Sequence, residues 1–295
     1  MSVFKRSYRR YEGPLTNRNT RFGTLVRYAT AELWSSRITS MIFLLCFVPA
    51  FISLAIIYIM NNDVVRMLLS AGHGPTQPPI AINERFFYGI LQAQCWPALV
   101  LTAWIGPKVI SGDLANDALP IILSHPISRV EYVLAKVSVL WAFLAAVTVI
   151  PTTVLFLFQS YISAVPWGAG HIRILLGMFA GCVLWISFLA LLALAVASWV
   201  KWRIVATGMI FAAIFVPAGM GTVFDAVMRT NWGNAINIPL MMSTLWRRLL
   251  AVQVPSFFVR NELPSIALLI SLAVMMWLCV MALNARIRAR EVVRG

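Results

Sequence analysis

The chain has 295 residues, of which 60% are hydrophobic and only 12% charged, with a mean hydropathy of +0.82. Soluble domains are about 45–50% apolar and about 25% charged, so a single soluble core cannot hide this much apolar surface, and lipid must solvate much of the chain. The formal charge of +14 would point to nucleic acid in a soluble protein; here the basic residues cluster at the ends of apolar runs, where membrane topology requires them, and no nucleic-acid partner is expected.

Residues 1–38 read as a basic tail carrying eight Lys or Arg. Within it Phe22, Leu25, Val26, Ala29 and Leu33 recur at helical spacing on one face, with Arg21, Arg27 and Glu32 away from it. This pattern predicts an amphipathic helix lying in the membrane interface ahead of the first span. The leader of about forty residues before the first apolar run is too long for an ordinary cleaved signal peptide.

The remainder, 39–295, reads as an all-α integral membrane domain with six spans near 39–60, 88–110, 134–160, 172–199, 204–224 and 264–284. Each is long enough to cross the bilayer core as a helix. Pro49 is expected to bend the first span, and Pro97 and Pro107 to interrupt or close the second. The 61–88 connection holds the turn-rich GHGPTQPP. Residues 225–263 contain IPLMMSTLWRRLLAVQVP, too short an apolar stretch to span. It reads either as an interfacial or re-entrant helix anchored at the head groups by Arg247 and Arg248, or as a simple outer loop.

Six spans put both ends of the chain on one side. The basic tail, the connection after the second span (Lys108, Arg129, Lys136), Lys201, Arg203 and the four arginines after 285 place 17 of the 24 basic residues on that side. By the positive-inside rule both termini and the connection between spans two and three are cytoplasmic; the expected location is a bacterial-type plasma membrane.

The spans read as essentially free of Asp, Glu, Lys, Arg and His, which argues against a self-powered ion-coupled transporter, because such proteins relay through intramembrane ionisable groups. Enzyme signals are poor. His73, His125 and His171 are scattered in loops, and neither H-E-x-x-H nor G-x-S-x-G is present. Cys46, Cys95, Cys182 and Cys279 lie in apolar runs without a C-x-x-C pair, so no metal site or disulfide framework is expected. There is no phosphate-binding G-x-x-x-x-G-K-[ST] loop, so energy for uphill movement must come through another polypeptide.

Residues 106–136, GPKVISGDLANDALPIILSHPISRVEYVLAK, hold three of the ten acidic residues. Ser111-Gly112-Asp113 predicts a break and an N-cap for a short helix with Leu114, Ala118, Ile121 and Ile122 on its apolar side. Asp113 and Asp117 would then favour the dipole of that helix in its first turn; the alternative is a metal-binding carboxylate pair. Pro120 interrupts the element, and His125-Pro126 forces an extended residue before the next helix. Ser128-Arg129-Val130-Glu131 matches the S-x-x-E capping box, so the helix of the third span is expected to begin near Arg129. The exposed Ile121, Ile122 and neighbouring Leu123 require the membrane interface or a docking partner.

The segment SGDLANDALPIILSHPISRVEYVLAK resembles the permeases of type-2 ATP-binding-cassette (ABC-2) transporters, with Ile110, Ser111, Asp113, Pro126, Ser128, Arg129, Glu131, Tyr132 and Lys136 standing on that family's pattern. The tail YRRYEGPLTNRNTRFGTLVRYATAELWSSR is similar to the start of one branch. Where many members carry G-T-x-E, this chain has Ala118-Leu119-Pro120-Ile121. The resemblance implies a coupling helix between spans two and three comprising Asp113, Asp117, Leu119, Ile121, Ile122, His125, Arg129 and Glu131. It also implies a second permease subunit, alike or different, and two cytoplasmic ATPase subunits. ATP and magnesium would be bound by those ATPases, and no cofactor by this chain. The expected function is that of the transmembrane subunit of an exporter moving an amphiphile, lipid, polysaccharide or peptide. The alternatives are a non-transporting membrane subunit of a larger complex and a lipid-modifying membrane enzyme using Asp113 and Asp117.

Overall fold

The computed structural model describes residues 18–62, 65, 80–115, 129–163, 167–200, 202–253 and 263–286, and among these every regular element is helical. Six helical stretches are long and apolar enough to cross a membrane: Arg37–Asn61, Glu84–Ile110, Val130–Ile162, Ile172–Trp199, Arg203–Met228 and Ser265–Arg286. The chain is a multi-pass membrane protein. As crossings, these six leave residues 18 and 286 on one side, called here the terminal side.

Helix α1 (Arg18–Trp34) precedes the spans. The first span is broken into α2 (Arg37–Leu45) and α3 (Val48–Asn61). Pro49 causes this break, because its ring collides with the carbonyl of Leu45, four residues back, and it has no N–H to offer there. The third span repeats the device. Its helices α5 (Arg129–Val147) and α6 (Val149–Ile162) part at Thr148, four residues after Leu144 and just ahead of Pro151, which leaves the carbonyl of Val147 without its helical donor.

The second span behaves differently. Helix α4 (Glu84–Ala115) is continuous through Pro97 and Pro107. The hydroxyl of Thr207 donates to the Ala103 carbonyl at 2.9 Å, the group that Pro107 deprives of a donor, so a neighbouring helix supplies what the proline removes. A short helix α7 (Trp167–Gly170) leads into α8 (Ile172–Trp199) and then α9 (Arg203–Met228). A 3₁₀ turn at Trp232–Ala235, the twelve-residue α10 (Ile238–Leu249) and α11 (Ser265–Arg286) complete the described chain.

Helix α8 is the centre of the bundle. It packs on α4, α5, α6, α9, α10 and α11, and its pairing with α4 is the most extensive among the described elements. About three-fifths of its apolar window is enclosed (61%), against 17% for α11 and 22% for the first and fifth spans. Those three spans therefore present most of their apolar surface outward, to lipid or to another chain. The α4–α8 crossing is close because Gly106 faces Ala193; a Cβ at Gly106 would stand 2.6 Å from the Ala193 Cβ. Small residues permit such approach, and in a membrane close van der Waals packing is the main source of helix association.

Two expectations are overturned. Ser111-Gly112-Asp113 is not a break, since α4 runs through it to Ala115. One glycine costs a helix only about 1 kcal/mol relative to alanine, too little to end a helix already running. Asp113 consequently sits in the last turn of a helix, where the dipole disfavours a negative charge, and not in a first turn. The spans are also not free of ionisable groups, because Lys108 lies within the second.

Of the alternatives for the segment after α9, a simple loop is excluded: its described part holds a short helix packed into the bundle. Helix α10 is about 18 Å long, too short for a hydrocarbon core of about 30 Å. It is nevertheless embedded: Ile238, Met241, Met242, Leu245 and Trp246 are buried. The Trp246 indole donates to the Gly181 carbonyl at 3.1 Å, in the space a side chain at Gly181 would occupy. Gly181 is nine residues into α8, so α10 reaches about 14 Å inward from the loop side. Its entry is fixed by Asn237, which accepts from the Leu240 N–H as an N-cap, and by Asp225, which accepts from the Gly233 N–H at 2.6 Å. Arg248 is anchored by donating to Ser265 at 2.9 Å rather than by head groups alone.

Candidate functional site

On the terminal side α1 packs along α5. Of the residues placed on one face of this helix, Leu33 is buried, Val26 and Ala29 pack against the core, and Phe22 and Leu25 are half-buried, while Arg27 and Glu32 are exposed. The opposing surface of α5 is built around Tyr132, whose side chain is completely enclosed, with the Lys136 ammonium 5.5 Å from the centre of its ring. Leu25, Ala29, Glu32, Tyr132 and Lys136 line a groove of about 160 Å³ between the two helices. At the far end Trp34 meets Phe43 and Phe143 at 5.0 and 5.3 Å between ring centres, tying α1 to both α2 and α5. Tyr28 and Trp34 stay exposed at 74% and 48%, so they are the large apolar groups that α1 leaves for another surface.

The residues expected to couple divide into two sets. Arg129 opens α5 and Glu131 lies half-buried in its first turn, where a carboxylate favours the helix dipole. Asp113 is at the end of α4, so α4 and α5 flank the intervening segment. Asp117, Leu119, Ile121, Ile122 and His125 lie outside the described residues, as does the capping Ser128. Tyr132 and Lys136, singled out in the sequence only as members of a motif, have a structural role as the seat of α1.

Sequence reasoning missed the polar hub inside the bundle. The amide of Gln94, on α4, donates to the carbonyl of Cys46 at 2.9 Å and to that of Val147 at 2.6 Å. These are the broken points of the first and third spans, so one glutamine joins both interruptions. Nearer the loop side the Asn61 amide donates to Gln159 at 2.9 Å, joining α3 to α6. A glutamine in an apolar run carries no local signal of this kind; only the coincidence of Pro49 and Pro151 with two distant spans could have prompted it.

Beside α10 a cavity of about 80 Å³ is walled by Gln92, Trp96, Trp185, Ser243 and Trp246. The Trp185 indole N–H is buried and has no partner among the described residues. The volume has room for water but falls far short of the roughly 300–1,000 Å³ of small-molecule sites. An amphiphile could not be enclosed there by this chain alone.

Compared with protein-family models and with curated proteins, the sequence matches none. The functional reading therefore rests on the residues and their arrangement.

One consequence of the α1 seat is testable by itself. Truncating a fully buried aromatic side chain costs about 3–5 kcal/mol, so Tyr132→Ala should release α1 from α5. Limited trypsin digestion of the purified protein should then cut at Arg27 much faster than in the wild type, while the fragment containing the six spans stays intact.

Proposed function

We propose that this protein is the transmembrane subunit of an ATP-driven exporter of the ABC-2 type, receiving force from a separate ATPase through the connection between α4 and α5. The observation that carries the reading is the pair of helices flanking that connection. Helix α4 has 32 residues, about 48 Å, and α5 with α6 is longer still, against a hydrocarbon core of about 30 Å. From Lys108, near the end of the second span, α4 continues seven residues, about 10 Å, to Ala115. Helix α5 begins at Arg129 with its first turns braced by α1. Residues 116–128, including Ile121 and Ile122, thus connect two stiff levers rooted in the bundle. A load applied there reaches α8 through the α4–α8 crossing.

Three further features support this reading. The segment resembles the coupling region of ABC-2 permeases, the chain has no phosphate loop of its own, and its first, fifth and sixth spans leave apolar faces for a second permease or for lipid. In this reading both termini are cytoplasmic, α1 lies at the inner face of the plasma membrane, and two permeases and two ATPases, with ATP and magnesium on the latter, form the working complex. The export path would form between permeases, and the cargo class is an amphiphile, lipid, polysaccharide or peptide.

The decisive experiment is isolation from the native membrane followed by identification of accompanying chains. An ATP-binding-cassette ATPase should copurify; its absence would reject the proposal in favour of an accessory subunit. In the isolated complex, replacing Ile121 and Ile122 together by aspartate should abolish coupling between ATP hydrolysis and transport while the spans remain folded. Wild-type coupling in that variant would remove these residues from the contact. Neutralising Asp113 and Asp117 should disturb assembly or ATPase stimulation, whereas a lipid-modifying enzyme would lose turnover and still assemble.

A further inference from the structure

At the terminal-side end of the bundle two cations share one tryptophan. The Lys108 ammonium lies 4.7 Å and the Arg203 guanidinium 5.1 Å from the centre of the Trp104 ring. The two charges are therefore within about 10 Å of each other, inside one Debye length at 0.1 M salt. Lys108 donates to Thr39 at 2.6 Å and to Ser36 at 3.3 Å, and the Trp104 indole donates to the same Thr39 hydroxyl at 3.2 Å. Neither cation has an ion pair among the described residues. Of the acids on the described helices, Glu84 and Asp225 lie toward the opposite ends of α4 and α9, Glu32 faces the α1–α5 groove, Glu131 stands in the first turn of α5, and Asp113 stands five residues beyond Lys108 in α4.

Two neighbouring cations with no counter-charge among the described residues repel each other. The donor inventory is also unfilled. An ammonium has three donors, of which Ser36 and Thr39 take two, and a guanidinium has five, none of them spent on a described residue. What fits is an anion with several acceptor oxygens that can be reached by both side chains. The level within the bundle tells which anion. Lys108 is two residues from the end of the second span and Arg203 is the first residue of the fifth. Trp34, Trp199 and Trp202 are exposed at this same end, 48%, 55% and 78%, the arrangement of an aromatic belt at the head groups. Arg286 repeats the motif over Trp199 at 5.7 Å.

We infer that Lys108, Arg203 and Trp104, with Ser36 and Thr39 positioning the lysine, form a binding site for the phosphate of an anionic membrane lipid in the leaflet of the terminal side. The site joins α4 and α9 with the start of α2, so a bound head group staples three spans. It depends only on the protein lying in a membrane and not on the identity of any partner.

The test uses purified full-length protein in vesicles of phosphatidylcholine alone or with added phosphatidylglycerol. The readouts are thermal stability and lipid retained in native mass spectrometry. Wild-type protein should be stabilised by phosphatidylglycerol and retain it in preference to phosphatidylcholine. Lys108→Met with Arg203→Gln removes two basic residues from the surface and should weaken that binding roughly thirtyfold. Should the double variant fail to fold, Arg203→Gln alone changes only an exposed side chain and should weaken binding several-fold. Undiminished phosphatidylglycerol retention in a folded variant would overturn the site. Stabilisation by inorganic phosphate equal to that by the lipid would overturn the assignment to lipid and leave a soluble anion as the ligand.

Discussion

Gly106→Leu should prevent normal assembly of the bundle, seen as loss of a monodisperse peak in detergent and a melting temperature far below that of the wild type. A Cβ at this position stands 2.6 Å from the Cβ of Ala193 before any of the leucine's further carbons are placed. Overpacking a well-packed interior costs about 1–3 kcal/mol, and the strain falls here on the pairing of α4 with α8, the most extensive among the described elements. The close crossing also predicts a compensation. Gly106→Ala should be destabilising, and Ala193→Gly in the same chain should return most of the loss, because the methyl group has only changed sides. Independent, additive effects of the two substitutions would show that the helices do not meet at this pair.

Gln94→Leu should be nearly as damaging although it makes the interior more apolar. The substitution removes both donors from the carbonyls of Cys46 and Val147, and an unsatisfied buried polar group costs about 1–3 kcal/mol. Lipid offers no substitute donor. The loss is moderated because the Gln94 carbonyl oxygen has no partner among the described residues, and leucine removes that buried group. Gln94→Glu separates the hydrogen bonds from mere volume. A carboxylate would point an acceptor at two carbonyls, so only the protonated side chain can donate. That hydrogen bond is present at low pH and lost as the carboxyl group ionises. The glutamate variant should therefore melt higher at pH 5 than at pH 7. A pH-independent melting temperature would mean that Gln94 fills space without bridging the two breaks.

These two positions also separate what was legible in the sequence from what was not. The spans were legible because burying apolar side chains in lipid is a property of each segment by itself: the fourth coincides with the expected 172–199, and the others differ mainly at their ends. The breaks were partly legible, since proline denies a donor to a carbonyl four residues earlier wherever it stands; Pro49 was read as a bend, while Pro151 acts in the same way unannounced. The continuation of α4 through Ser111-Gly112-Asp113 was misread because cap residues signal a start only when no helix is already running.

By itself the sequence determined that this is an α-helical membrane protein with six segments long and apolar enough to span, because length and hydropathy are local. Only the tertiary structure decided who supplies the missing partners. It placed Gln94 between two interruptions some fifty residues away on either side, seated α10 against Gly181, laid α1 on Tyr132, and brought Lys108 and Arg203 to one indole. The reason is that a polar group in a bilayer must be satisfied inside the protein or at the head groups, and which group satisfies it depends on helix crossings that no single stretch of chain encodes.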